Sequence, residues 1–190
     1  MKNAAYFTLQ GRLNRKRFFK RYLVTSIFMF CISVFIMIQN GLTSQILVNP
    51  DALIALLNNG QVNLEMILFN LPFYLYMLSL DWRRWHDLNA PNLLILASIV
   101  GMIDPYITKM VGPDGLLGSI SSILQLAILI PLFFFKGTAG TNYYGEDLLT
   151  EAVADTDAAN EKPAYTKWQR GLMGIVCVYV LLAIVSILIS

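Results

Sequence analysis

Residues 22–38 read YLVTSIFMFCISVFIMI, and the ten residues before them, Arg12 to Arg21, read RLNRKRFFKR. The apolar run is seventeen residues long, which as a helix spans about 26 Å, close to the hydrocarbon thickness of a bilayer. Its only polar members, Thr25, Ser26, Cys31 and Ser33, are small and acceptable in a transmembrane helix. A basic flank before an apolar run also describes a secretory signal, but this run is long for one and no A-x-A cleavage site follows. It is read as a retained membrane helix, ending at Gln39-Asn40-Gly41.

Working outward, the chain repeats this pattern. Second and fourth crossings run from Leu64 to Leu80, with Glu65 near the outer end and Pro72 inside, and from Leu116 to Phe135, where Gly118 and Ser122 stand four apart. The third begins after Pro91, and its apolar run from Leu93 to Ile103 meets Asp104-Pro105. That pair has the form of a helix start, so a break or kink is expected near Asp104, with a second piece to Val111. A fifth crossing spans Gly171 to Ile189. Asp51 to Leu57 is too short to cross, and reads either as an interfacial helix with Asp51 as N-cap or as a loop. From Glu146 to Pro163 the acidic residues Glu146, Asp147, Glu151, Asp155, Asp157 and Glu161 occur with no apolar period, as in a flexible linker.

With 56% hydrophobic and 14% charged residues in 190, more apolar material is present than one soluble core of this size needs. The expected fold class is all-α, a polytopic transmembrane helical bundle. Cys31 and Cys177 lie inside apolar runs with no CxxC spacing, so no disulfide framework, metal site or cofactor is expected. A net charge of +2 implies no nucleic-acid partner.

Lysines and arginines fix the expected orientation. Lys2, Arg12, Arg15, Lys16, Arg17, Lys20 and Arg21 precede the first crossing, none follows it, and Arg83 and Arg84 follow the second. Lys109 alone lies near the turn after the third, and Lys136, Lys162, Lys167 and Arg170 stand between the fourth and fifth. The alternation puts the N-terminus in the cytoplasm and the C-terminus in the periplasm. Trp82, Trp85 and Trp168 then fall at the cytoplasmic edge, as an aromatic belt.

Three polar clusters carry the candidate chemistry. In the first, Arg15, Phe18, Phe19 and Tyr22 share one helical face that Gly11 and Arg12 extend. Arg12 and Arg15 are therefore expected to face other helices, where a guanidinium needs a carboxylate, a carbonyl or a phosphate, while Lys16, Arg17, Lys20 and Arg21 face lipid headgroups. In the second, Asp81-Trp82-Arg83-Arg84-Trp85-His86-Asp87, a continuing helix would allow Asp81 to pair with Arg84 and Arg83 with Asp87. His86 and Asp87 are the only acid–base neighbours an intramembrane enzyme could use, although adjacent helical residues diverge by about 100°. The third, GTAGTNYYGED from Gly137 to Asp147, is a glycine-rich turn with no phosphate-loop spacing.

GRLNRKRFF at 11–19, RRWHD at 83–87 and GTAGTNYYGED at 137–147 together resemble the DUF805 family of bacterial inner-membrane proteins of unknown function. The resemblance implies an inner-membrane location and a four-helix core, and supplies no activity. Its segments here would be a basic cytoplasmic N-terminus (1–21), a four-helix membrane core (22–147), an acidic cytoplasmic linker (148–167) and an added C-terminal transmembrane helix (168–190). The leading expectation is a non-enzymatic membrane protein. Its cytoplasmic cluster of Arg12, Arg15, Arg83, Arg84, His86, Asp87, Asn142 and Tyr144 would engage an anionic lipid headgroup or a partner, either another membrane protein or a second copy. The alternative is a transporter component using the intramembrane carboxylates Asp104 and Glu65.

Overall fold

The computed structural model describes residues 9, 11–42, 49–111, 116–145 and 164–189. Among them the chain is helical and contains no strand: α1 (Arg15–Gln39), α2 (Pro50–Leu57), α3 (Gly60–Asp87), a 3-10 turn (Asn92–Leu94), α4 (Ile95–Val111), α5 (Leu116–Phe134) and α6 (Lys167–Ile189). Three of these, α1, α3 and α6, are long and apolar enough to cross a membrane. The acidic stretch from Glu146 to Pro163 lies outside the described residues.

Local chemistry explains where the helices begin. Asn14 caps α1, its side-chain oxygen accepting the Arg17 N–H at 3.0 Å. Thr166-Lys167-Trp168-Gln169 has the T-x-x-Q form of a capping box, and Gln169 Oε1 accepts the Thr166 N–H at 2.8 Å. The short apolar stretch before the second crossing is a helix, but Asp51 is not its cap. Asn49 is, accepting the N–H groups of Asp51 at 3.1 Å and Ala52 at 3.3 Å. Pro50 decides this: it occupies the first helical position and confines the residue before it to extended backbone, the conformation a cap needs.

The other Asp-Pro pair behaves differently. α4 runs unbroken through Asp104-Pro105 to Val111, so the expected break is absent. A proline inside an apolar helix removes one backbone hydrogen bond, a loss that transmembrane helices accommodate. The side chain of Asp104 lies outside the described residues. α3 continues past Leu80 to Asp87, and its 28 residues reach about 42 Å, well beyond a hydrocarbon core of about 30 Å. Its last turns therefore carry the Asp81–Asp87 cluster as helix.

The chain divides into two compact units, one of 1–19 with 78–190 and one of 20–77. In the second, α1 and α3 run antiparallel and are joined by side-chain polar contacts. Asn70 donates to the Ser33 hydroxyl at 3.2 Å, Asn40 donates to Glu65 at 2.8 Å, and Phe28 stacks on Phe73 with ring centres 6.5 Å apart. Phe30 and Phe69, 68% and 63% exposed, are suited to acyl chains rather than water. In the first unit α4, α5 and α6 pack on one another, with Leu94, Ala97, Leu124, Leu132 and Tyr179 sealed between them.

In the absence of a hydrophobic force between helices in lipid, such polar links hold the pair. A double-mutant cycle of Ser33→Ala and Asn70→Ala, read by thermal denaturation in detergent, is expected to give a coupling of about 0.5–1.5 kcal/mol. A coupling near zero would show that the link does not stabilise the pair.

Candidate functional site

Asp87, the last residue of α3, is 5% exposed. One of its oxygens pairs with Arg12 at 3.2 Å and the other with Arg84, one turn back on the same helix. Arg12 lies before α1 rather than on it, on an arm whose Gly11 has φ +81° and whose Leu13 N–H donates to the Arg83 carbonyl at 3.1 Å.

Both arginines are buried and both use their remaining donors on backbone carbonyls. Arg12 donates to Gly140 O at 2.5 Å, Gly145 O at 3.4 Å, and both the carbonyl and the hydroxyl of Thr138. Arg84 donates to Leu132 O at 2.8 Å and to Phe135 O. These last are orphan acceptors at the C-terminal end of α5, so the Arg84 fork caps that helix. Two cations thus share one carboxylate, and the excess positive charge is spread over carbonyl dipoles rather than solvent.

The glycine-rich turn is built around this node. A Cβ at Gly137 would collide with the Asp87 carboxyl, so only glycine lets the chain pass there. Thr138 then binds back to the Asp87 carbonyl through its N–H at 2.8 Å and its hydroxyl at 3.1 Å. Asn142 and Gly145 exchange backbone hydrogen bonds, closing a turn over Tyr143-Tyr144. The Asn142 amide reaches the His86 carbonyl at 3.0 Å and Thr138 Oγ1 at 2.8 Å.

His86 stacks on Tyr144, ring centres 3.8 Å apart and nearly parallel, with Trp82 edge-on at 5.6 Å. Its Nδ1 lies 3.3 Å from the Gly11 carbonyl oxygen and its Nε2 2.9 Å from the Asn92 side-chain oxygen, both of them acceptors. The imidazole and the Asp87 carboxylate therefore face different partners, and the two do not form an acid–base dyad. Tyr144 donates its phenol to Ala90 O at 2.8 Å. Burial, and then the neighbouring Tyr143 and Tyr165, push that phenol up to about 12.

Of the expected site residues, Arg12, Arg84, His86, Asp87, Asn142 and Tyr144 meet in one node. Arg83 is buried beside it and contributes its carbonyl to the arm. Arg15 is exposed at the edge, donating to Phe134 O at 3.2 Å, so the helical face proposed for Arg12 and Arg15 together does not exist. Arg84 pairs with Asp87 and not with Asp81, whose side chain bonds Ser98. Glu65 belongs to the other unit, held by Asn40 and by Gln61 at 3.2 Å. Sequence reasoning placed Gly137 and Thr138 in the third cluster without a role for either, and missed the carbonyls of α5, because backbone acceptors leave no mark in residue type. It also missed Ser98, which accepts the Trp85 indole N–H at 3.1 Å.

Removing one partner of such a buried group leaves uncompensated charge, so Asp87→Ala is expected to destabilise the protein by about 3–5 kcal/mol. Gly137→Ala, which overpacks the same point, should cost about 1–3 kcal/mol. Loss of monodisperse protein in detergent chromatography and a lowered melting temperature would register both. For Tyr144, the phenol is neutral in the fold where a free one at 10.0 would ionise. Its contribution is complete below pH 10 and disappears as pH rises towards 12. Alkaline unfolding of Tyr144→Phe should therefore lack a component that the wild-type protein shows in that window.

Among known proteins, no curated protein and no solved structure matches the chain. A family profile does, described as a protein of unknown function, DUF805, and it covers residues 6–146, about three quarters of the chain. That range holds the arm, the end of α3 and the whole of the turn over Tyr143-Tyr144, and it stops before α6. The chain belongs to the DUF805 family.

Proposed function

We propose that this chain is a non-enzymatic, multi-pass protein of the bacterial inner membrane, crossing it five times with its N-terminus in the cytoplasm. Its cytoplasmic end docks on anionic lipid headgroups. The observation that carries this reading is a division of labour among the cations. Arg12 and Arg84 are buried, bound to Asp87 and to carbonyls, whereas Arg15, Lys16, Arg17, Lys136, Lys167 and Arg170 are exposed.

The exposed group gathers at one end of the first unit. Arg15 touches the last turn of α5, and Phe135 packs edge-on against Trp168 at 5.4 Å, beside Lys167 at the start of α6. The two carboxylates of that unit whose exposure is described, Asp81 and Asp87, are both buried. A rim of this kind attracts an anionic leaflet with roughly 1 kcal/mol per basic residue. Trp168, packed on Phe135 beside it, suits the aromatic belt of a membrane interface.

The purified protein should melt at a higher temperature in nanodiscs of phosphatidylglycerol than in those of phosphatidylcholine. Raising the salt to about 0.5 M should shrink the gain, since the screening length falls well below 8 Å. Equal melting in both lipids would end the reading. Orientation is checked with a cysteine at position 136 in a Cys31→Ser, Cys177→Ser background. It should react with a membrane-impermeant maleimide only after the cytoplasmic side is opened, and a cysteine at position 45 should react from outside.

A further inference from the structure

The seam where the first turns of α1 meet the last turn of α5 presents an unusual surface. Phe19 and Phe134 are 52% and 70% exposed, a wasteful arrangement in water and an ordinary one against acyl chains. They are held in place, not loose. Phe18 and Phe19 both pack edge-on against Phe133, at 5.1 Å and 5.9 Å, and the Arg15 guanidinium is tied to the Phe134 carbonyl at 3.2 Å.

That tie uses one N–H of Arg15 and leaves the rest of its donors at the surface. Lys136, exposed, follows Phe134 and Phe135 directly in the chain. The seam therefore carries an apolar wall of aromatic rings with a guanidinium at its rim and an exposed lysine two residues past Phe134. An amphiphile with an acidic head and a hydrocarbon tail matches both halves at once. A guanidinium fork is suited to two oxygens of a phosphate, and a lysine adds a second, less directional charge.

We infer that the α1–α5 seam is a binding site for one anionic phospholipid, its phosphate held by Arg15 and Lys136 and an acyl chain lying along Phe19 and Phe134. This rests on the rim reading above and narrows it, from a leaflet attracted by many charges to a single retained molecule. Charge complementarity selects the lipid: Lys16 and Arg17 stand next to Arg15, both exposed, while Asp81 and Asp87 are buried.

Native mass spectrometry of the full chain, delipidated and then titrated with phosphatidylglycerol, tests it. One bound lipid per chain is expected, with phosphatidylcholine binding weakly. Each cation removed, Arg15→Gln or Lys136→Glu, should weaken retention about fivefold or more. Both variants lie at the surface, so either one can be read if the other fails to fold. Retention undiminished in both variants would overturn the seam site while leaving the preference for anionic nanodiscs, and hence the rim, intact. No preference for phosphatidylglycerol in either assay would overturn both. Displacement of the lipid by inorganic phosphate at equal concentration would show that the charges alone bind, and would also overturn the site.

Discussion

A single carboxylate, that of Asp87, sits between two buried guanidiniums, and the first unit is arranged around that fact. A charge taken out of water needs partners with good geometry, or it costs several kcal/mol. Arg12 and Arg84 supply them, and then need acceptors of their own. Those acceptors are carbonyls of the glycine-rich turn for Arg12 and of the end of α5 for Arg84. The three motifs of the sequence are thus three sides of one electrostatic problem, and the arm before α1, the end of α3 and the chain after α5 are fixed together by its solution.

This arrangement separates two roles that residue type alone merges. An arginine next to a membrane can fix topology, bind a headgroup or hold other parts of the protein. Burial sorts them here: Arg12 at 3% and Arg84 at 0% exposure belong to the node, and the exposed cations at the helix ends belong to the surface. His86 falls on the node's side of this division. Its ring nitrogens face Gly11 and Asn92, its face is covered by Tyr144, and so it joins the arm, the 3-10 turn and the turn over Tyr143-Tyr144 rather than facing a substrate.

The helices were legible because apolar length is a one-dimensional property. Their starts were less so: the first and fifth runs were read from Tyr22 and Gly171, where the apolar residues begin, whereas Asn14 and the Thr166–Gln169 box start α1 and α6 earlier, at Arg15 and Lys167. Asn49-Pro50 and Asp104-Pro105 show the limit. Both have the form of a helix start, yet only the first is one, because the second lies within an apolar stretch that continues on both sides. The node was legible as three polar clusters but not as a set of pairings. Asp81 stands as close to Arg84 along the helix as Asp87 does, at i−3 against i+3, and which of them pairs was decided by Arg12, far away in sequence. Gly137 could have been singled out as a glycine at the entrance to the turn, but the reason for it, the Asp87 carboxyl against its Cα, exists only in three dimensions.

The last helix adds a step that the family's extent alone would hide. The family match ends at residue 146, which would suggest that α6 is an appendage. Its packing argues otherwise. Trp168, at its start, stacks on Trp85 with ring centres 6.2 Å apart, and Trp85 is 1% exposed. Further along, Tyr179 is fully sealed against neighbours in a unit whose other helices, α4 and α5, both touch α6. Trp85 also donates to Ser98 on α4, so the same indole ties the end of α3 to α4 on one side and to α6 on the other. Immediately after Trp85 come His86 and Asp87. The helix beyond the family match therefore packs, through Trp168, on Trp85, two residues before Asp87.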